Sequence, residues 1–172
     1  QNLHALNIPE LTIITPAALQ TEAERVAQLH REEGLTVAVI EQEKIFNEFS
    51  SGAPDASAYR RLMKMFYDRA EGNENVRPRY LLLFGDGSYN NRKSMEKLHS
   101  PECNMLLTYQ SKTSIDERES FVIEDYFGFL EDNSGEEIKV DKVCLGIGRF
   151  PISSIKNARL VVDKLYRYVH DK

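Results

Sequence analysis

The chain has 172 residues, 41% of them hydrophobic and 28% charged, with a formal net charge of -5, which suits one domain with a real core. A mildly acidic chain whose longest basic cluster is Arg77-Pro-Arg79 lacks the basic face that phosphate contacts need, so no nucleic-acid partner is expected. No apolar run approaches the roughly 20 residues of a membrane span, and no signal peptide is present, so no membrane insertion by this chain is expected either.

Residues 1–10 read as a leader or linker and 11–172 as a single α/β domain. Leu11 to Thr15 is a β-branched run ended by Pro16, a first strand. Leu19, Ala23, Val26, Ala27 and His30 then recur at helical spacing, and Gly34 stands where a helix C-cap belongs. Leu35 to Ile40 is a second strand, expected to be buried on both faces. This β-α-β order implies parallel pairing. Glu43 to Phe49 forms a short helix. Asp55 caps the next one, whose stripe Tyr59, Leu62, Met63, Phe66, Tyr67 and Ala70 is core packing.

Tyr80 to Phe84 is an apolar run that stops at Gly85-Asp86-Gly87. A buried parallel strand delivers a carboxylate into its following loop in this way. The signal is weak from Asn90 to Glu119, with one apolar island, Met105 to Tyr109, as a possible strand. Phe121 to Leu130 is an aromatic run broken by Glu124-Asp125. Lys142 to Gly148 is a further buried strand that ends at Arg149. Ile155, Ala158, Val162, Leu165, Tyr166 and Val169 mark a last amphipathic helix, capped by Ser153 or Ser154. The order gives a three-layer, Rossmann-like α/β sandwich with a mostly parallel sheet. The chain begins at Gln1 and stops within a helical pattern at Lys172, so it reads as a piece of something longer.

In open parallel sheets, ligands and catalytic groups gather at the C-terminal strand edge. Asp86, Asp125 and Arg149 are expected there. Two readings stand: Asp86 and Asp125 as ligands of a hard cation such as calcium, or an Asp86–Arg149 ion pair that fixes the loops. A free-standing module binding a cation or small anion at this edge is the alternative function. A receiver-like phosphoacceptor fits less well, since Thr15-Pro16 stands where an acidic pair is wanted. No phosphate-loop motif and no nucleophile elbow is present. Cysteine chemistry needs a thiolate beside a base. Cys144 lies in an apolar run, and Cys103 has only His99 nearby in sequence. No catalytic residue and no organic cofactor are assigned.

Tyr80-Leu-Leu-Leu-Phe-Gly-Asp-Gly-Ser-Tyr-Asn-Asn-Arg92, Glu124-Asp-Tyr-Phe-Gly-Phe-Leu130, and Gly146-Ile-Gly-Arg-Phe-Pro-Ile152 with the helix from Ala158 to Tyr168 together resemble the gingipain-type cysteine peptidases. The likeness is strongest to their sortase-like branch, which processes C-terminal signals in type IX secretion. One departure is that Glu124 stands where an Asp is expected. The resemblance implies the first subdomain of a caspase-like catalytic region. It places the family's catalytic His, in a Gly-His-Gly context, and its nucleophilic Cys in a downstream subdomain of the same polypeptide. It also implies secreted protein substrates for the parent and a place at the bacterial cell surface or outer membrane. A subdomain of this kind is expected to be inactive alone. The residues Tyr126, Phe127, Phe129 and Phe150 then have two possible places: an exposed docking patch for the downstream half, or the chain's own core.

Overall fold

The computed structural model describes residues 2–170 apart from residues 97, 99, 101, 112, 114, 138 and 139 and the side chains of 93–95. The main sheet has four parallel strands: β1 (Leu11–Thr15), β2 (Val37–Glu41), β3 (Tyr80–Phe84) and a strand at Gly146–Phe150, in the order β2, β1, β3, then Gly146–Phe150. Leu11 pairs with Val37 on one side and Tyr80 on the other, and Tyr80 pairs with Gly146. A second small sheet joins β4 (Asp86–Gly87) to β5 (Met105–Leu106), also in parallel; Gly146–Phe150 is therefore β6. The helices are α1 (Gln20–Glu32), α2 (Gln42–Phe49), α3 (Ser57–Arg69), α4 (Asn91–Glu96) and α5 (Ile155–His170).

Side chains alternate across a strand, and here that alternation separates two cores. Leu11 and Ile13 of β1 pack with Ala23, Val26 and Ala27 of α1 and Ala158 and Val162 of α5. Ile14, Leu81 and Leu83 lie in the opposite cluster with Ile45 and Phe46 of α2 and Tyr59, Leu62, Met63 and Phe66 of α3. The sheet is therefore sandwiched between two helical layers, as the β-α-β pattern predicts. Each fully buried Leu or Phe in these layers contributes about 1.5–3 kcal/mol. Two local signals also hold. Gly34 ends α1 with φ +95°, a value side chains rarely adopt. Ser154 caps α5, accepting the Asn157 N–H at 3.2 Å, whereas α3 is capped one residue later than expected, at Ala56, with Asp55 accepting the Ser57 N–H at 2.8 Å.

Several boundaries differ from the sequence pattern, each for a physical reason. β2 is half-buried over most of its length, because it is an edge strand and only β1 flanks it. Residues 142–145 precede β6 as a loop, tied by the Cys144 N–H to Gly128 O at 2.8 Å. The apolar island at 105–109 pairs for only two residues. Residues 3–8, expected as a leader, are part of the fold: Leu3 is fully buried, and Leu6 and Ile8 pack on the same cluster.

The aromatic residues lie in the chain's own core. Tyr126, Phe127 and Phe129 are 8%, 0% and 1% exposed, and a 3-10 turn at Asp125–Gly128 folds them inward. Phe127 meets Tyr59 at 5.6 Å, and Tyr126 stacks on Tyr109 at 3.4 Å. Phe150 is half-buried and leans on Phe84 at 5.9 Å. The docking-patch expectation therefore fails for Tyr126, Phe127 and Phe129, and Phe150 offers no patch alone.

Candidate functional site

The strand ends do collect the polar groups singled out above, and main-chain bonds explain how. Past Phe84, the Gly85 N–H reaches Phe150 O on β6 at 3.1 Å, and the Asp86 N–H reaches Asn104 O at 2.8 Å. This turns the chain out of the main sheet and into β4. At Gly87 an added Cβ would lie 2.9 Å from Thr108 Cγ2 and 3.3 Å from Arg149 Cζ, so a side chain there would displace the Thr108 methyl and crowd the guanidinium.

Arg149 is the centre of the site. Its Nε donates to Glu124 Oε1 at 2.8 Å and its Nη2 to Glu124 Oε2 at 3.2 Å, a forked pair. Nη2 also donates to Leu107 O at 3.2 Å, and Nη1 to Gly85 O at 3.3 Å and Asp86 O at 3.2 Å. A guanidinium has five N–H donors, and these five contacts use them all. The expected Asp86–Arg149 pairing is thus corrected: Arg149 holds the main-chain carbonyl of Asp86, and its carboxylate partner is Glu124. The longer arm of Glu124, the one departure in its motif, brings both its oxygens to the guanidinium.

The Asp86 carboxylate turns back on its own loop, where Oδ1 accepts the Gly87 N–H at 2.8 Å. Asp86→Ala is expected to cost about 1 kcal/mol, read as a lowered urea midpoint; a loss as large as that of an Arg149 variant would put Asp86 in the central network instead. Asp125 is exposed at the start of its 3-10 turn. Among the described residues, no three His, Cys, Asp or Glu converge as a cation needs. Glu124 is engaged by Arg149, and the Asp86 Oδ1 by the Gly87 N–H.

A second layer supports the first. The buried Tyr59 hydroxyl donates to Gln42 Oε1 at 2.7 Å and accepts the Leu107 N–H at 3.3 Å. Gln42 Nε2 donates to Met105 O at 2.9 Å. Burial drives the Tyr59 phenol far above its ordinary range, outweighing the Leu107 N–H and the Arg149 charge. From sequence Tyr59 is simply a core aromatic, and nothing in the pattern joins it to Gln42. Its one polar atom within an apolar stripe is the only hint.

Of the two thiols, that of Cys103 borders this network at Met105 O, which Gln42 Nε2 also reaches. Cys103 is 3% exposed, and its Sγ lies 3.8 Å from Met105 O. His99, its neighbour in sequence, lies outside the described residues. Cys144 is half-buried, with Sγ 3.7 Å from Lys142 O. Burial first, and Cys144 second, push the adjoining Tyr67 phenol upward. The other histidines are engaged elsewhere: His4 with Glu48, His30 with Glu33, and His170 against the Tyr166 ring.

The profile of peptidase family C25 matches residues 4–172. Among solved structures, the chain is similar to dimeric latent PorU from Porphyromonas gingivalis, with 44% identity and a TM-score of 0.85, over 98% of this chain and 16% of that one. It also shares its fold with a chain described only as a protease, at 13% identity and a TM-score of 0.62, over 92% of this chain and 27% of that one. No curated protein sequence matches. The chain therefore spans a small part of the solved structures it resembles.

Proposed function

The chain belongs to peptidase family C25, and from that premise we propose that it is the non-catalytic N-terminal subdomain of a gingipain-like cysteine endopeptidase or sortase. The parent processes C-terminal signals of type IX secreted proteins at the bacterial cell surface or outer membrane. A downstream subdomain of the same polypeptide supplies the catalytic His and Cys. This subdomain is its scaffold, and the secreted proteins are the parent's substrates.

The observation that carries this reading is the near-complete match of the chain to a small part of the longer PorU chain. Two features of the site agree with it. The guanidinium of Arg149 has no donor left for a ligand, which weighs against a small-anion module at this edge. Cys103 is too deeply buried for its thiol to meet a substrate carbonyl.

The chain alone is expected to hydrolyse no peptide that carries a C-terminal sorting signal, and to resist a thiol-directed peptidase inhibitor. Turnover that Cys103→Ala abolishes would overturn the proposal. Coexpression with the downstream subdomain is expected to give a stable complex that labels on the downstream cysteine alone.

A further inference from the structure

Residues 2–8 are attached to the domain differently from everything after them. Glu10 fixes the far end. Its N–H donates to Thr36 Oγ1 at 3.0 Å and its Oε2 accepts the Thr36 N–H at 3.1 Å, next to the start of β1. Between that point and Leu6, residues 7–9 make no hydrogen bond among the described residues.

At the near end a single carboxylate on the last turn of α2 holds the segment. Glu48 Oε1 accepts the Leu3 N–H at 2.8 Å. Oε2 lies 2.9 Å from the same N–H, 3.3 Å from His4 N and 2.9 Å from His4 Nδ1. The His4 ring stacks on Phe49 at 4.9 Å, and Leu3 inserts beside the core cluster that contains Ile45 and Phe46. No strand pairing backs this attachment. It rests on one ionised side chain, the His4–Phe49 stack, the burial of Leu3 and of Pro9 at the pivot, and the partial burial of Leu6 and Ile8.

We propose that residues 2–8 form a detachable strap, latched by Glu48, that opens about Pro9 and Glu10 while the sheet stays folded, and that opening withdraws Leu3 and uncovers an apolar slot against α2. The physical basis is that segments with few buried contacts and few backbone bonds open at a fraction of the global free energy. Both Glu48 oxygens face N–H donors, so the latch needs a carboxylate; an amide there would turn an NH₂ group toward one of them. Burial would raise the Glu48 carboxyl, but the Leu3 and His4 N–H groups and the His4 ring outweigh it and hold it below the usual range. Nearby, Lys44 on α2 pairs with Glu41, and Arg61 on α3 bonds Phe49 O and Asp55.

The test is amide hydrogen exchange at neutral pH on this chain and its Glu48→Gln variant. The Leu3 and His4 amides are expected to exchange at least about tenfold faster in the variant, as loss of a charge-assisted bond implies. The amides of β1 and β3 are expected to keep their rates. A second variant, Leu3→Ala, is expected to free the same two amides and to leave the sheet protected. Unchanged rates at Leu3 and His4 in Glu48→Gln would show that Glu48 is not the latch. An equal acceleration in β1 and β3, or a Glu48→Gln chain that fails to fold, would show that the segment is part of the global unit and overturn the proposal.

Discussion

Arg149→Ala is expected to lower the unfolding free energy by about 2–3 kcal/mol, at or below the low end of the scale for breaking a buried ion pair, because this pair is part-buried. The side chain is 12% exposed and that of Glu124 28%. Removing the guanidinium leaves a carboxylate and the carbonyls of Gly85, Asp86 and Leu107 without their donor. These groups lie on separate elements, so the loss is felt across the whole C-terminal edge. Arg149→Lys is expected to recover little, because an ammonium is a point charge and cannot span a fork and three carbonyls. Glu124→Gln keeps an acceptor and is expected to cost less, about 1–2 kcal/mol. Urea unfolding reads all three, and an Arg149→Ala midpoint equal to the wild type would show that the cluster does not hold the edge together.

The sheet and its flanking helices were legible because their signals are local. Burial of β1 follows from a β-branched run and that of β3 from an unbroken apolar one, and α1 and α3 from stripes at helical spacing. What periodicity does not carry is strand order. Val37–Glu41 and Gly146–Phe150 resemble interior strands by composition, yet both lie at edges of the sheet. Nor does composition say which way an aromatic run turns, and the run at 126–129 turns inward through one 3-10 turn.

The site was legible in part for the same reason. Asp86 and Arg149 stand out as polar residues at the ends of apolar strands, and the structure brings them together. Which atoms meet was not legible. An acidic residue beside an arginine suggests a carboxylate pairing, whereas the bond is to the Asp86 carbonyl and the charge partner lies 25 residues away in sequence. Glu124 could have been found from its position as the odd acid in a family motif. Its forked contact gives the substitution a structural meaning: the arm of a Glu reaches the guanidinium with both oxygens.

Tyr59→Phe is expected to cost about 1–3 kcal/mol at neutral pH, because it removes one hydroxyl and leaves two buried polar groups, Gln42 Oε1 and the Leu107 N–H, without it. The variant also isolates a pH effect of definite sign. Burial raises the folded Tyr59 phenol above its ordinary value of 10.0, so this group's stabilisation is complete below that value and is lost as pH rises through the folded one. Above pH 10 the unfolded chain releases a proton that the folded chain still holds, so the equilibrium shifts toward unfolding. The phenyl ring of the variant has no proton to release. The stability gap between wild type and variant should therefore narrow by up to about 1.4 kcal/mol for each pH unit above 10. Tyr67 and Tyr109 are raised as well, but both proteins carry them and their contributions cancel in the difference. Urea unfolding from pH 7 to 11 measures the gap. A gap that stays constant across that range would mean that Tyr59 ionises as freely folded as unfolded, and that the network joining α2, α3 and Leu107 does not seal it from water.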